Sequence, residues 1–266
     1  NKSKKAWDII NKESGRKPAA ISNNKSGITA QEFNQYFIQS LKSIKSNIPM
    51  SSITSEAYLK KANSVTTIFQ WKMVTHENIY NAVMHLKNSK TQDYYGFSNI
   101  LLKECILYIL DPLVFVINDC LIQGIFPDIL KISKIIPIFK KGEKNLISNY
   151  RPVSLVPILS KIFESVILEQ LVAYFEKCGI LYENQYGFRR GKSTTSAVEC
   201  LVTWVLKEFE NKNGALACLC DLIKAFDCVP HDLLLNKLTY YGVNGNELSV
   251  IRSFLSNREQ IVDKGG

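Results

Sequence analysis

Cysteine and histidine patterns that would hold zinc are absent from this 266-residue sequence. Its seven cysteines form no Cys-x-x-Cys pair, and none of the three histidines lies beside a pair of cysteines. An odd number of scattered cysteines is typical of a protein kept reduced inside the cell. The N-terminus has no hydrophobic core of a secretory signal, and no apolar run reaches the length of a membrane span. We therefore expect an intracellular protein of the nucleus and cytoplasm that is not secreted and has no membrane partner.

Acidic side chains are in the minority, with 24 Asp and Glu against 33 Lys and Arg and a formal charge of +9. Much of this excess lies in residues 1–50, which contain nine basic and three acidic side chains. A basic surplus indicates a polyanionic partner, although membranes and solubility alone are alternative explanations. With 46% hydrophobic residues, the chain can form a sizeable core in one or two domains. It begins without Met, and we expect it to be a piece of a longer protein.

Residues 1–66 are polar and basic, and we interpret them as a connector that precedes the main domain at 67–266. Two short amphipathic stretches interrupt this connector, one around Trp7 and one from Phe33 to Leu41. The second stretch has its apolar residues on one helix face and predicts a docked helix. The positive charge fits contacts with nucleic acid phosphates and fits a solvated linker equally well.

An apolar run from Ala215 to Cys220 ends at Asp221. The run is too short for a helix and follows Gly214, so it predicts a buried strand with a carboxylate at its end. Open α/β sheets place their chemistry at such strand ends, and a carboxylate fixed there can hold a hard cation such as Mg²⁺. An aspartate in this position is also common as a turn residue or as a helix N-cap. The spacing alone leaves both interpretations open.

Two apolar stretches on either side of Gly142 predict a basic β-hairpin. The first strand covers Ile132 to Phe139, where Pro137 indicates an edge strand or a bulge, and the second covers Asn149 to Leu155. Six basic side chains lie on or near this hairpin: Lys131, Lys134, Lys140, Lys141, Lys144 and Arg151. Such a hairpin can close on a triphosphate and neutralise its charge during transfer, or it can be an ordinary solvated surface.

A basic loop follows the long helix that periodicity predicts from Pro157 to Cys178. The loop carries Arg189, Arg190 and Lys192 ahead of Ser193, which predicts the N-cap of the next helix. Backbone N–H groups, a helix N-terminus and three basic side chains make this a favourable corner for a phosphate. The glycine spacing is one residue short of a Walker loop and no strand precedes it, so the pattern does not indicate an ATPase.

Apolar periodicity predicts the remaining elements of the chain. Helices are expected over residues 75–89, 99–109, 111–124, 231–242 and 246–256, and a last strand over 258–263. Asp111-Pro112 is interpreted as the start of a separate helix, because proline suits a first turn where its missing N–H leaves no bond unmade.

Three strings of residues, in chain order, carry a resemblance to a known family. Residues 149–155 read Asn-Tyr-Arg-Pro-Val-Ser-Leu, 185–195 read Gln-Tyr-Gly-Phe-Arg-Arg-Gly-Lys-Ser-Thr-Thr, and 221–227 read Asp-Leu-Ile-Lys-Ala-Phe-Asp. Together they resemble the reverse transcriptases of LINE-type, jockey-like non-LTR retrotransposons. The last string departs from the family pattern at Ile223, and Cys228 and Pro230 depart just after it. The loop at 87–98 resembles the family's opening motif less closely.

The resemblance implies an α+β fold, namely a helix-rich right-hand polymerase truncated to the fingers and the start of the palm. It implies that Asp221 is the catalytic metal ligand and binds Mg²⁺ or Mn²⁺. It also implies that Arg151 grips the phosphates of an incoming deoxynucleoside triphosphate, with help from Lys140 or Lys141.

The remaining implied roles concern the nucleotide and the template. Leu222, Ala225 and Phe226 border the nucleotide in this interpretation, and the Phe226 ring excludes a 2′-hydroxyl. Without the resemblance, Phe226 is equally well a core residue. Lys224 is expected to be solvated and Asp227 to cap a helix. The residues implied to face the template strand are Arg189, Arg190 and Lys192.

The second half of the family's metal site is a pair of adjacent aspartates, and no Asp-Asp pair occurs in this sequence. Two-metal nucleotidyl transfer needs both metals to be held, which one aspartate cannot do. We therefore expect a fragment of an RNA-directed DNA polymerase that is inactive alone. Its partners would be an RNA template, a DNA primer and deoxynucleoside triphosphates. The alternatives are a non-catalytic nucleic-acid-binding remnant of such an element and an interaction module, and the oligomeric state is left open.

Overall fold

A computed structural model describes residues 27–48, 54, 57, 59, 65–222 and 224–264. The predicted amphipathic stretch around Trp7 lies outside the described residues, as does Ile223. The helices are α1 Ala30–Ser46, α2 His76–His85, α3 Asn99–Gln123, α4 Ile158–Lys177, α5 Thr194–Glu210, α6 His231–Tyr240 and α7 Gly245–Leu255. The strands are β1 Ile132–Phe139, β2 Tyr150–Leu155 and β3 Glu259–Val262. This helix-rich arrangement with a small sheet agrees with the predicted α+β class.

Helices α2, α3, α4 and α7 form the main hydrophobic core. Its most deeply buried side chains come from all four helices and from the turn before β1: Ile79, Val83, Ile106, Phe126, Ile162, Phe163 and Val250. The rings of Phe126 and Phe163 stack with their centroids 4.9 Å apart. Because each helix presents an apolar stripe to the same centre, the core is formed mainly by helix-on-helix packing.

The two helices predicted on either side of Asp111-Pro112 are a single helix, so the predicted break is wrong. Pro112 lies inside α3 and removes one helical N–H, whose acceptor would be the carbonyl of Tyr108. Both residues are exposed, so water can bond that carbonyl. Apolar residues before and after the proline, Ile106 and Ile117, pack into the same core. Burial of the residues before and after Pro112 therefore keeps the helix continuous.

The predicted hairpin is confirmed and forms two strands of a three-stranded sheet in the order β2-β1-β3. β1 pairs with β2 in antiparallel fashion and with β3 in parallel fashion. Pro137 lies opposite Pro152 in the β1–β2 register, and β3 pairs only with Ile132 to Ile135 of β1. Because no strand of the described residues pairs with β1 on its outer side at Pro137, the missing N–H costs no sheet bond there, as expected for an edge position.

Helix α1 covers one face of this sheet. Thr29 and Glu32 form a capping box that starts the helix, and Phe33 and Phe37 are buried on its inner side. The Phe33 ring meets the Tyr150 ring of β2 edge to face, with the centroids 4.9 Å apart. The docked helix predicted within the N-terminal connector is therefore present, and it packs against the three-stranded sheet.

The strand predicted from Ala215 to Cys220 is not formed. These residues are irregular and largely exposed, and Leu219 has 90% of its surface accessible. A strand needs a neighbour to pair with its N–H and C=O groups, and the described sheet is completed by β3 instead. An apolar run alone cannot supply that neighbour, which is why the sequence pattern overestimated the order here.

Candidate active site

Two of the six basic side chains on or near the hairpin make contacts that stabilise the fold. Lys131 is buried, and its Nζ lies 2.7 Å from Asp128 Oδ1 and 3.4 Å from Ser253 Oγ. Lys134 pairs with Asp263 at 2.6 Å between Nζ and Oδ2. Both ammonium groups are occupied by neighbouring protein oxygens, so they are poor candidates for binding a phosphate.

The cations proposed for a phosphate clamp are placed differently. Lys140 and Lys141 follow β1, Arg151 lies in β2, and all three are exposed. Arg151 is directly opposite Ile138, on the sheet face away from α1, because neighbouring strand residues point to opposite faces and Tyr150 points toward α1. None of the three cations forms an ion pair within the described part of the chain. Their donors are therefore available to an anion.

Asp221, the predicted metal ligand, lies in the exposed irregular segment that follows Cys220. Among the described residues, no hydrogen bond or ion pair reaches its carboxylate. The neighbouring Leu222 and Ala225 are exposed as well. The site residues predicted in this segment are thus accessible, but they are not held at the end of a sheet strand.

Lys224 anchors this segment to α1, so the expectation of a solvated side chain is wrong. Its Nζ donates a hydrogen bond of 2.6 Å to Ser40 Oγ. Ser40 lies one turn after Phe37, the residue that packs against the sheet. Asp227 does not cap the following helix either, since α6 has Pro230 at its N-cap and no side-chain cap bond.

The basic loop ahead of α5 is held mainly by contacts within the protein. Arg189 donates to Glu176 of α4 through Nε at 3.0 Å and Nη2 at 2.6 Å, and Nη1 donates to the carbonyl of Tyr182. Lys192 donates to the carbonyl of Glu183. Of the three predicted template residues, only Arg190 is exposed and has no such contact in the described chain. Arg189 and Lys192 therefore position the loop, which sequence reasoning did not anticipate.

An aromatic contact joins this loop to the segment that carries Asp221. The rings of Phe188 and Phe226 meet nearly perpendicularly, with their centroids 5.6 Å apart. Phe226 is 77% exposed, so it is not a core residue. The elements predicted to contact template and nucleotide are thus neighbours, whereas no described contact places Arg151 against Asp221.

Comparison with known proteins decides the family. A model of the family described as reverse transcriptase (RNA-dependent DNA polymerase) matches residues 138–265, which include Arg151, Arg189 and Asp221. The chain is 31% identical over 220 residues to a probable RNA-directed DNA polymerase from transposon BS of Drosophila melanogaster, covering 79% of this chain and 24% of that protein. The chain belongs to the reverse transcriptase family.

Another relative identifies the branch of the family. This reverse transcriptase chain is 31% identical over 217 residues to the RNA-directed DNA polymerase from mobile element jockey of Drosophila funebris, covering 78% of the chain and 23% of the relative. The resemblance to LINE-type, non-LTR retrotransposon enzymes is therefore confirmed. The chain spans about a quarter of the length of these relatives.

The described residues of this reverse transcriptase chain do not by themselves fit a metal site. Within the described ranges, no group of three His, Cys, Asp or Glu side chains converges where an ion could be held. Divalent cations in polymerase sites are held by carboxylates together with substrate phosphates. Asp221 offers one exposed carboxylate, and its role as a metal ligand stays a prediction.

Asp93 is a residue of the opening motif whose role sequence reasoning missed. Its carboxylate is buried and accepts three backbone N–H groups, from Tyr95 at 2.9 Å, Phe97 at 2.9 Å and Ile158 at 2.8 Å. The third bond caps the N-terminus of α4, whose own N-cap residue, Pro157, has no polar side chain. The sequence offered one signal of this contact. Pro157 at the start of α4 cannot cap the helix through its side chain, so the cap had to come from a residue elsewhere in the chain.

The Glu176–Arg189 pair is expected to make the loop sensitive to acid. Hydrogen bonds from Arg189, together with its charge, hold the pKa of the Glu176 carboxyl below its ordinary value of 4.5. A lowered pKa means that the pair stabilises the fold above that ordinary value and is lost as the pH falls through the folded pKa. Amides of residues 182–192 should therefore exchange hydrogen faster near pH 3, after correction for intrinsic rates, than near pH 6. In Glu176→Gln, exchange should be fast at pH 3 and at pH 6. If the variant instead kept the pH dependence of the unsubstituted chain, this ion pair would not be its cause.

Proposed function

We propose that this chain supplies the fingers and the first part of the palm of an RNA-directed DNA polymerase with a right-hand architecture. The observation that supports this most directly is the presence of all three motif strings, in order, within the family match at 138–265. The reaction is template-directed transfer of a nucleotide from a deoxynucleoside triphosphate to a DNA primer paired with RNA. The place of action is the cell interior, nucleus and cytoplasm, which suits seven free cysteines.

Within that polymerase, each accessible residue has a distinct task. Arg151 binds the triphosphate as a planar donor, with Lys140 or Lys141 adding charge. Asp221 contributes one carboxylate to a magnesium or manganese site, and residues outside this chain complete the ligand set. Leu222, Ala225 and Phe226 line the nucleotide position.

Template contact in this proposal falls mainly to Arg190, because it is the exposed cation of the 182–193 loop. Arg189 and Lys192 keep the loop against α4 and its own carbonyls. The Phe188–Phe226 ring contact then holds the template loop beside the nucleotide segment. Phosphate contacts of this kind fix the position of a strand without reading its sequence.

Arg151→Ala in the complete polymerase should raise the KM for deoxynucleoside triphosphate about tenfold or more, because one charge-assisted donor pair is lost. The decrease in kcat should be smaller, since the side chain binds the phosphates in the ground state as well as in the transition state. Steady-state primer extension over a range of nucleotide concentrations measures both constants. Arg252→Ala removes an exposed arginine of α7 and serves as the control for lost charge. An unchanged KM in Arg151→Ala would remove the clamp assignment.

A non-catalytic nucleic-acid-binding remnant is the second candidate. Asp221 is exposed and has no partner among the described residues, and the sequence contains no Asp-Asp pair; both observations favour this candidate for the chain taken by itself. Primer extension by this chain and by a longer protein that contains it distinguishes the two candidates. Extension by the longer protein supports the polymerase, whereas nucleic acid binding without extension in both supports the remnant.

A further inference from the structure

Helix α3 presents an apolar ridge to solvent along its entire length. Leu101, Tyr108, Phe115 and Ile122 follow one another at intervals of seven residues, and all four are exposed. The two aromatic side chains in the middle are the most accessible, at 86% for Tyr108 and 71% for Phe115. Leu107 and Val116 flank this ridge and are exposed too.

The ridge is not required by the core of the domain. The opposite face of α3 packs against α2, α4 and α7 through Leu102, Ile106, Ile117 and Leu121. Exposing an apolar ridge this long to water is unfavourable, and a partner that covers it would lower the free energy. Contiguous exposed apolar surface of this size is typical of an interaction site.

The charges on this outer face are acidic. α3 contains Glu104, Asp111 and Asp119 but only one basic residue, Lys103. Lys103 donates to Asn88 at 2.8 Å and lies away from the ridge, next to the core face. The helix is therefore negative in a chain whose formal charge is +9.

The three carboxylates lie among the ridge residues by helical spacing. Asp111 contacts His76 Nε2 at 2.7 Å, and Asp119 accepts from Gln123 Nε2 at 2.6 Å. These contacts leave further acceptor positions on each carboxylate. Nucleic acid and anionic lipid are repelled by such a surface, whereas lysine and arginine side chains are attracted to it.

We propose that the outer face of α3 docks a cationic amphipathic helix of a partner protein. A seven-residue apolar repeat is the spacing at which two helices pack side by side. At about 1.5 Å per residue, the ridge from Leu101 to Ile122 is roughly 32 Å long. The partner helix places its apolar residues on the ridge and its basic residues against Glu104, Asp111 and Asp119. This proposal does not depend on polymerase activity.

Charge complementarity favours such a partner over a second copy of this chain. An antiparallel pair of α3 helices would match Tyr108 with Phe115 of the other copy. The same register would bring Glu104 against Asp119 of the other copy, which are like charges. A cationic helix gains from the same carboxylates that oppose self-association.

Fluorescence anisotropy with a defined probe tests this proposal. The probe is a labelled 21-residue synthetic helix with leucine at the first and fourth positions of each heptad and lysine on its other face. Its counterpart carries glutamate in place of every lysine. The intact chain should bind the lysine helix, and more weakly at high salt, and should bind the glutamate helix at least tenfold more weakly.

Variants locate the binding site on the chain. Tyr108→Ser with Phe115→Ser should weaken binding of the lysine helix at least tenfold, and Glu104→Gln with Asp119→Asn severalfold. Tyr108, Phe115 and Glu104 are exposed and Asp119 is half-buried, so circular dichroism checks that the variants remain folded. Trp204→Ser with Phe209→Ser removes two exposed aromatic side chains from α5 and should leave binding unchanged.

Several outcomes overturn the proposal. The lysine helix could fail to bind, or the lysine and glutamate helices could bind equally well. The α5 control variant could also weaken binding as much as the Tyr108→Ser, Phe115→Ser variant does. A dimer in size-exclusion chromatography with light scattering that Tyr108→Ser and Phe115→Ser dissociate would instead assign the face to a second copy.

Discussion

Replacing Asp221 with asparagine in the complete polymerase is expected to abolish primer extension. The substitution keeps the shape of the side chain but removes the negative charge that a divalent metal requires, so the reaction should slow about a thousandfold or more. Template binding should stay near normal, because Asp221 makes no contact in the described chain that holds the fold together. Single-turnover primer extension with a labelled primer measures the first effect, and filter binding of template–primer measures the second.

Asp227→Asn is the matched control for that experiment. Asp227 is six residues away in the same exposed segment, and it caps no helix. The same change of charge at this position should leave extension within about twofold of the unsubstituted enzyme, as is usual for surface sites. Extension that survives Asp221→Asn would show that Asp221 is not the metal ligand.

Replacing Asp93 with alanine is expected to lower the free energy of unfolding by about 3 kcal/mol. The carboxylate accepts from three backbone N–H groups, and the one from Ile158 is fully buried at the start of α4. Without an acceptor, that N–H remains buried and unbonded, and the turn from Asp93 to Phe97 loses its two side-chain bonds. Urea unfolding followed by circular dichroism measures the change.

Two further variants separate capping from loss of charge. Asp93→Asn retains one acceptor oxygen and should destabilise by roughly half as much as Asp93→Ala. Asp111→Ala removes an exposed carboxylate in α3 and should change stability by less than about 1 kcal/mol. Equal stability of Asp93→Ala and the unsubstituted chain would show that the α4 N-terminus does not depend on this cap.

Local signals in the sequence predicted the elements that depend on neighbours in the chain. Thr75 and Ser193 cap the helices that they were expected to start, and the Gly124 backbone, with a φ of 72°, ends α3 as predicted. The hairpin followed from two apolar strands around Gly142. These features were predictable because the bonds of a cap, a helix stop or a hairpin join residues close in sequence.

The sequence predicts which residues form the candidate site, and their roles stay predictions. Their contacts with the rest of the chain came only from the structure. The motif strings identified Arg151 and Asp221, and the family match includes both. The strings could not reveal that Arg189 forms an ion pair with Glu176 of α4, or that Lys224 donates a hydrogen bond to Ser40 of α1. Such partners are distant in sequence, so no local pattern contains them.

The amino-acid sequence by itself determined the family, most helix and strand bounds and the basic character of the hairpin, whereas the structure showed which of its cations are accessible. Only the tertiary structure decided that α3 runs through Pro112, that β3 joins β1 in parallel, and that Asp93 caps α4. The physical reason is that burial and long-range hydrogen bonds outweigh local preference wherever a segment finds a partner. Where no partner is at hand, as for Ala215 to Cys220, an apolar pattern does not form a strand.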